Sequence, residues 1–141
     1  MSDVDIILPT YNCEKYIEET LHSIIVQSFQ NWKLIIVDDA SKDSTVKLIT
    51  EYLHDKRITL ISLKKNKGAG FCRNLGIRNS KSDYIAFLDS DDIWDQKKLA
   101  KQLIFMSKNK YYFTYTNYTT FGSQNQRNNL RKIYPPKYFT F

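Results

Sequence analysis

The feature that most constrains the fold is the alternation of four short apolar runs with stretches of helical spacing. The runs, each of strand length, are VDIIL (4–8), KLIIVD (33–38), ITLISL (58–63) and YIAFLD (84–89). Strand and helix alternating four times predict an α/β fold with a mainly parallel sheet and helices on both faces. Because the runs are continuously apolar, we expect the strands to be buried on both faces.

The stretches between the runs predict four helices. In the first, apolar residues fall on one helical face, with Asn12 as the N-cap: Ile17, Leu21, Ile24 and Ile25. The second, STVKLITEYL (44–53), is expected to begin at Ser41 or Asp43 and to turn three residues inward: Val46, Ile49 and Leu53. The third covers roughly 70–80, and the fourth follows Trp94 with an apolar stripe of Leu99, Leu103 and Met106.

The segment beyond residue 110 has a different composition. YYFTYTNYTTF (111–121) is rich in Tyr, Thr and Phe, which predicts one further strand or a hairpin. GSQNQRNN (122–129) is polar and predicts a mobile loop. At 141 residues the chain has the length of about one domain, and its 42% hydrophobic content is typical of a folded protein.

The targeting and cysteine signals are those of a cytoplasmic protein. No apolar run approaches the ~18 residues that cross a bilayer. The N-terminal MSDVDIIL has acids before a short apolar stretch, unlike a secretory signal. Cys13 and Cys72 fit no zinc or disulfide pattern, so we interpret them as small buried residues in a reducing compartment.

Charge is distributed unevenly along the chain. Residues 1–92 hold 12 Lys/Arg and 14 Asp/Glu, a net −2, whereas residues 93–141 hold nine basic residues and Asp95, a net +8. The basic part is either a solvated surface or a surface for a polyanion such as anionic lipid, which would give peripheral membrane association. Salt-dependent co-sedimentation with anionic vesicles distinguishes the two. No nucleic-acid-binding motif is present, so nucleic acid is not an expected partner.

Unusual residues follow every predicted strand. The four segments are PTYN (9–12), DDAS (38–41), KKNKGAG (64–70) and DSDD (89–92). Carboxyl ends of parallel strands meet at one edge of the sheet, where ligands bind in such folds. Acids, a tyrosine, glycines and lysines are therefore predicted to gather at one edge, which indicates a binding site.

Each of these segments has a chemical interpretation. Tyr11 is suited to stack on a flat base, and Asp38 or Asp39 to accept hydrogen bonds from ring N–H groups. Gly68 and Gly70 allow close approach of a ligand to the backbone. Three cations, Lys64, Lys67 and Arg73, are able to balance phosphate charge. An ordinary glycine loop and a solvated lysine face remain alternatives for the glycines and lysines.

The crowded acids Asp89, Asp91 and Asp92 have two interpretations. Hard divalent cations bind clustered carboxylate oxygens, whereas Asp is also favoured in solvated turns and at helix N-caps.

Three partial matches to known sequence motifs fail. GAGFCR has Arg73 in place of the third glycine of a dinucleotide fingerprint. The acidic pair of a signalling receiver would follow the first strand, whereas Asp38 and Asp39 follow the second. DSDDIWDQKKLA lacks the glycine and the glutamate of an EF-hand loop.

In order and spacing, ILPTYNCEKYIEETLHSIIVQSF, WKLIIVDDASKDST and NKGAGFCRNLGIRNSKSDYIAFLDSDDIW resemble the N-terminal half of family 2 glycosyltransferases of the GT-A fold. The resemblance covers roughly residues 4–105. It implies a nucleotide-sugar donor, most often a UDP-sugar, and a divalent cation, Mn²⁺ or Mg²⁺. It also implies a donor-binding domain over residues 1–110 and the start of an acceptor-side region, apparently truncated, over 111–141.

The resemblance assigns site residues by position. Those bordering the donor nucleotide would be Pro9, Thr10, Tyr11, Asp38, Asp39, Asn66, Gly68, Gly70, Arg73 and Asp89, with Asp39 the preferred partner of uracil. Asp91 would ligate the metal, and Asp89 would contact the ribose or metal-bound water. Cys72 replaces the family's usual alanine, and Trp94 is expected to pack beneath the loop rather than touch substrate.

The family's general base is an acid well downstream of DSDD, yet no Asp or Glu follows Asp95. His22 and His54 lie in predicted helices away from the site and are expected to be structural or surface residues. We therefore expect a fragment that is inactive alone. The implied setting is cytoplasmic, at the inner face of the membrane, with a saccharide or lipid-linked acceptor in surface polysaccharide or lipooligosaccharide synthesis. Alternatives are a metal-dependent nucleotidyltransferase and a non-enzymatic receiver-like module.

Overall fold

A computed structural model describes residues 4–120 and 131–133. Four parallel strands form the main sheet in the order β3-β2-β1-β4, with bounds β1 Val4–Thr10, β2 Trp32–Asp38, β3 Ile58–Ser62 and β4 Tyr84–Phe87. The helices are α1 Ile17–Ile25, α2 Thr45–Thr50, α3 Ala69–Asn79 and α4 Lys98–Asn109. A strand followed by a helix four times confirms the predicted α/β fold class.

The two central strands carry the core. Every residue of β1 is buried, as is every residue of β2 except Lys33. On one face, Ile35 and Val37 pack with Cys72 and Leu75 of α3. Alternation turns Leu34 and Ile36 to the other face, where they are also fully buried. The prediction of burial on both faces is thus confirmed for β1 and β2.

The same prediction is wrong for β4. Tyr84, Ile85 and Phe87 are 38%, 39% and 48% exposed. Among the described residues β4 pairs only with β1, so it is an edge strand of this sheet. Its apolar sequence satisfies strand propensity without enclosure on both faces by the described residues.

Gly76 sets the distance between α3 and the sheet. A Cβ built on Gly76 would lie 2.5 Å from Cγ2 and 3.2 Å from Cγ1 of Ile7 on β1. Real Cβ atoms essentially never approach so closely, so only glycine allows α3 to pack at this separation. The position of α3 matters because its first turn reaches the carboxyl edge of the sheet.

The predicted helix starts need correction. α1 begins at Ile17 after Tyr16, so Asn12 is not its N-cap. Asn12 instead has a positive φ of 46°, and its Oδ1 accepts the Lys42 N–H at 2.8 Å. Its side chain therefore joins two loops, a long-range contact that local sequence does not reveal.

α2 is also shorter than predicted. It begins at Thr45 after Ser44, not after Ser41 or Asp43, although the Asp43 carboxylate accepts the Thr45 N–H at 3.0 Å. It ends at Thr50, which leaves Leu53 outside the helix and 38% exposed instead of inward. Ile49 is buried as predicted.

The chain divides into two compact units, Met1–Lys101 and Gln102–Phe141. In the second, β5 Tyr118–Thr120 pairs antiparallel with β6 Arg131–Ile133, and Phe105 and Tyr111 place their ring centroids 5.6 Å apart. One further strand, the first of the two alternatives predicted for residues 111–121, is present as β5, and its partner β6 lies beyond that segment. The predicted mobile loop 122–129 lies outside the described residues. The functional division after residue 110 stays a prediction.

In the described part of the chain no helix is long and apolar enough to span a membrane.

Asp5 secures the connection between α3 and β4. It is 2% exposed, and its carboxylate accepts hydrogen bonds from two hydroxyls and two amides: Ser80 Oγ at 2.8 Å, Ser82 Oγ at 2.7 Å, Lys81 N at 2.8 Å and Ser82 N at 3.2 Å. Burial alone would raise the pKa of Asp5, but these hydrogen bonds outweigh it and lower the pKa below 3.8. The ionised carboxylate is therefore the form that the folded state prefers.

We expect Asp5→Asn to lower the free energy of unfolding at pH 7 by about 2 kcal/mol, because charge-assisted hydrogen bonds are lost. A lowered folded pKa gives stability that is present above the unfolded pKa and disappears as the pH falls through the folded value. The difference between the two proteins should therefore shrink below pH 3.8. Urea unfolding from pH 7 downward measures it, with the exposed Asp83→Asn as control. A difference that stays constant with pH would contradict the assignment.

Candidate functional site

A cleft of about 280 Å³ opens at the carboxyl edge of the parallel sheet, and we call it the carboxyl-edge cleft. Residues from three strand ends and from α3 line it: Pro9, Thr10, Tyr11, Asp39, Ala69, Cys72, Arg73, Asp89, Ser90 and Asp91. The sequence places these residues up to 82 positions apart, and the parallel topology brings them together. The predicted gathering is therefore present for the acids and the tyrosine, whereas none of the glycines and lysines of 64–70 lines the cleft.

Seven of the predicted site residues line this cleft, namely Pro9, Thr10, Tyr11, Asp39, Arg73, Asp89 and Asp91. Four others, Asp38, Asn66, Gly68 and Gly70, do not line it. Three lining residues were not predicted: Ala69, Cys72 and Ser90. Their signal was only their position inside the segments NKGAGFCR and DSDD, since small side chains carry no chemical pattern of their own.

The adjacent acids Asp38 and Asp39 have different surroundings. Asp38 is 1% exposed and accepts hydrogen bonds from Thr10 Oγ1 at 3.1 Å and from the N–H and hydroxyl of Ser41. Asp38 thus fixes the ends of β1 and β2 relative to each other. Asp39, 3% exposed, is the one of the pair that reaches the cleft.

The Asp39 carboxylate holds the loop before α3. Its two oxygens accept the N–H groups of Lys67 at 2.6 Å and Gly68 at 2.7 Å. Gly68 has φ 86°, a conformation that glycine adopts without steric cost, and it directly precedes α3. A Cβ on Gly68 or Gly70 would meet no atom within 4 Å, so there is open space beside both residues.

The loops after β1 and β2 interlock beside Tyr11. Five backbone N–H groups donate to side-chain oxygens of the opposite segment, in both directions: Asn12 N to Ser41 Oγ at 3.0 Å, Lys42 N to Asn12 Oδ1 at 2.8 Å, Cys13 N to Thr45 Oγ1 at 2.8 Å, Glu14 N to Asp43 Oδ2 at 3.1 Å and Ser44 N to Glu14 Oε2 at 2.8 Å. The ring of Tyr11 is 47% exposed on this fixed backbone. It therefore presents a flat surface to the cleft.

Arg73 and Asp89 form an ion pair at 2.5 Å across the cleft. Arg73 lies on α3 and Asp89 follows β4, so the pair connects the two walls. Both side chains are substantially exposed, 36% and 54%, which keeps the pair weak and exchangeable. Arg73 is therefore available to bind an anionic ligand, and Asp89 is available to bind a cation.

The acidic loop, residues 89–92, concentrates negative charge. Partial burial and the charges of Asp91 and Asp89 raise the pKa of Asp92 above its usual value. Asp89 and Asp91 line the cleft, whereas Asp92 does not. Such like-charge crowding is relieved when a cation binds.

The residues of the cleft could hold a divalent cation only together with a bound ligand that supplies further oxygen atoms to the ion. Within residues 4–120 and 131–133, no three His, Cys, Asp or Glu side chains converge closely enough to bind a metal by themselves. Mg²⁺ and similar ions are commonly held by one or two carboxylates together with substrate phosphates and water. Asp91 and Asp89 supply such carboxylates on the cleft.

Cys72 forms an apolar part of the cleft wall. Burial, followed by the nearby charge of Asp39, raises the pKa of its thiol to about 11, so the thiol stays protonated at neutral pH. Cys13 is buried as well, as predicted for both cysteines. His22 and His54 are exposed and do not line the cleft, and Trp94 is buried away from it, as expected.

A parallel sheet with an aromatic ring, carboxylates and an arginine around a cleft at its carboxyl edge is the arrangement in which α/β domains bind ligands. The chain belongs to glycosyl transferase family 2, whose family model matches residues 5–141. This confirms the resemblance drawn from the three sequence segments. It also favours glycosyl transfer over the nucleotidyltransferase and receiver-like alternatives.

Two bacterial relatives show how the chain compares with longer proteins. It is 44% identical over 117 residues to a protein of Bacillus subtilis (strain 168) named for teichuronic acid biosynthesis, glycosyltransferase TuaG, covering 82% of this chain and 46% of TuaG. It is 42% identical over 115 residues to the UDP-Glc:alpha-D-GlcNAc-diphosphoundecaprenol beta-1,3-glucosyltransferase WfgD of Escherichia coli, covering 82% of this chain and 45% of WfgD. The chain thus spans less than half the length of these relatives.

Solved structures share the fold. TarS 1-349 of S. aureus in complex with UDP superimposes with a TM-score of 0.73 at 31% identity, over 78% of this chain and 33% of that chain. The mannosyltransferase PcManGT of Pyrobaculum calidifontis, in complex with GDP-Man and Mn²⁺, gives a TM-score of 0.70 at 25% identity, over 74% of this chain and 32% of that chain. The predicted GT-A fold is confirmed by these likenesses.

Proposed function

We propose that this chain is the donor-binding part of an inverting glycosyltransferase that uses a nucleotide-sugar, with UDP as the preferred nucleotide. The observation that carries the proposal is the convergence of Tyr11, Asp39, Arg73 and Asp91 on one cleft. Tyr11 would stack on the base and Asp39 would face its ring N–H, while Arg73 would meet the diphosphate. Support for UDP comes from the UDP bound to TarS and the UDP-Glc in the name of WfgD.

In the proposed reaction an acceptor hydroxyl attacks the anomeric carbon of the donor from the face opposite the nucleotide. A new glycosidic bond forms, the bond from that carbon to the diphosphate oxygen breaks, and the nucleoside diphosphate leaves with the electron pair. The hydroxyl proton passes to a general base that we assign to no residue of this chain. Asp91 and Asp89 would hold Mn²⁺ or Mg²⁺, and the positive charge of the bound ion would stabilise the leaving diphosphate.

The acceptor and the setting belong to the same proposal. WfgD is named for a diphosphoundecaprenol acceptor and TuaG for teichuronic acid biosynthesis. We therefore propose a saccharide or lipid-linked acceptor in surface polysaccharide synthesis, at the cytoplasmic face of the membrane. The basic charge of residues 93–141 fits attraction to such a surface.

Calorimetric titration of the folded chain with UDP, with and without Mn²⁺, tests the donor site. We expect UDP to bind with Mn²⁺ and to bind more weakly without it, and GDP and ADP to bind more weakly than UDP under the same conditions. Equal affinity for the three nucleotides would remove the preference for uracil. Absence of UDP binding by a chain shown to be folded by circular dichroism would contradict the proposed function.

A further inference from the structure

A set of buried polar side chains on α1 and the turn after it faces the chain that follows the acidic loop. We call this set, Thr20, Ser23 and Gln27, the polar ridge. The three residues are 0%, 4% and 0% exposed, and their spacing of three and four places them on one side of the helix. Three residues of the predicted apolar face of α1, Ile17, Leu21 and Ile24, are buried beside it, whereas the fourth, Ile25, is only partly buried.

Thr20 contacts both neighbours of Asp91. Its Oγ1 lies 3.0 Å from the carbonyl oxygen of Ser90 and 3.0 Å from that of Asp92, so one hydroxyl hydrogen is shared between the two carbonyls. The backbone on each side of Asp91 is thereby fixed to α1. Within the acidic loop, a backbone hydrogen bond from the Asp92 N–H to the Asp89 carbonyl at 3.1 Å closes the turn over residues 89–92.

Ser23 and Gln27 hold the next residues in the same way. Ser23 Oγ accepts the Trp94 N–H at 3.2 Å. Gln27 Nε2 donates to the Asp95 carbonyl at 2.8 Å, and Gln27 Oε1 accepts the Leu99 N–H at 3.2 Å. The polar ridge therefore bonds the backbone of the loop between β4 and α4 at four residues, Ser90, Asp92, Trp94 and Asp95.

Polar side chains are expensive to bury unless they are fully hydrogen-bonded, and an apolar helix face would bury the same area at lower cost. The polar ridge is therefore explained by what it holds, a loop that must stay in one place while carrying three mutually repelling carboxylates. We infer that Thr20, supported by Ser23 and Gln27, is a positioning residue that fixes Asp91 at the carboxyl-edge cleft for cation-dependent donor binding. The inference rests on the proposed function.

Two substitutions at Thr20 separate its hydroxyl from its shape. Thr20→Val keeps the volume and loses the donor, whereas Thr20→Ser keeps the donor and loses a methyl group. With Mn²⁺ present, we expect Thr20→Val to weaken UDP binding about tenfold, the size of effect seen when groups that orient metal ligands are lost. Without metal its UDP affinity should match the wild type, and Thr20→Ser should stay within about twofold of wild type in both conditions.

A control variant and a second measurement keep the test decisive. Ser80→Ala removes a hydrogen bond to Asp5 outside the cleft and should leave the Mn²⁺-dependent gain in UDP affinity unchanged. Hydrogen exchange of the Asp92 and Trp94 amides should accelerate in Thr20→Val but not in Thr20→Ser. If Thr20→Val does not fold, Ser23→Ala takes its place, since it removes the acceptor of the Trp94 N–H.

The outcomes distinguish this inference from the proposed function. If the wild-type chain shows no Mn²⁺-dependent UDP binding, the proposed function is wrong. The hydrogen-exchange rates of the Asp92 and Trp94 amides then show whether the polar ridge holds the acidic loop. Wild-type binding that Thr20→Val reproduces fully, with and without Mn²⁺, overturns the inference alone. Equal losses of UDP affinity with and without metal would also overturn it, because they would indicate general destabilisation.

Discussion

Asp91→Asn is expected to abolish the gain in UDP affinity that Mn²⁺ provides, a loss of about 100-fold if the cation is held by only one or two carboxylates. Asp91 is exposed on the cleft and accepts no hydrogen bond that would be lost with its charge within the described residues. The amide retains the size of the side chain but removes the negative oxygen that a hard cation prefers. The thermal unfolding midpoint should therefore stay close to that of the wild type, and titration with UDP at fixed Mn²⁺ measures the loss.

Asp95→Asn is the matched control for this experiment. Asp95 is an exposed acid four residues further along, paired with Lys101 at 3.3 Å and absent from the cleft lining. Both substitutions remove one negative charge from the same stretch of chain, so a general electrostatic effect would appear in both. Mn²⁺-dependent binding that survives Asp91→Asn, or falls equally in Asp95→Asn, would show that Asp91 is not a cation ligand.

Gly76→Ala is expected to reduce the free energy of unfolding by about 3 kcal/mol, at the upper end of the usual cost of overpacking a core. The added methyl group would lie 2.5 Å from Cγ2 of the fully buried Ile7. Because Ile7 is fully buried on β1, either its side chain or α3 must shift to accommodate the methyl group. Urea denaturation followed by circular dichroism measures the loss.

The same substitution at Gly70 provides the comparison. Gly70 lies in the first turn of α3, and a Cβ there meets no atom within 4 Å. Alanine has a helix propensity about 1 kcal/mol more favourable than glycine, so Gly70→Ala should leave stability unchanged or raise it slightly. Similar destabilisation by both substitutions would mean that the contact between Gly76 and Ile7 does not limit the packing of α3.

The sequence was sufficient to predict the sheet because its signal is carried by many residues at once. The apolar runs that become β1 and β2 are continuous, and every segment after a strand had to reach the same edge. The edge position of β4 was not predictable, because Tyr84, Ile85 and Phe87 satisfy strand propensity whether or not a neighbour covers them. Burial depends on strand order, which short runs do not encode.

The candidate site was predictable as a location but not as a set of contacts. The side chains of adjacent residues in an extended chain point in opposite directions. The segment DDAS does not indicate which of its two acids turns inward, and the structure shows that Asp38 does while Asp39 reaches the cleft. The polar ridge was missed for a related reason. Thr20, Ser23 and Gln27 look like ordinary polar positions of an amphipathic helix until their partners, about 70 residues later, are known.

The five reciprocal hydrogen bonds between the loops after β1 and β2 make these two segments a single unit for protein engineering. A graft of only one loop, if it lacks these side-chain acceptors, would leave backbone N–H groups of the other loop without their hydrogen-bond partners. Chimeras intended to alter nucleotide preference must therefore exchange residues 11–14 together with residues 41–45.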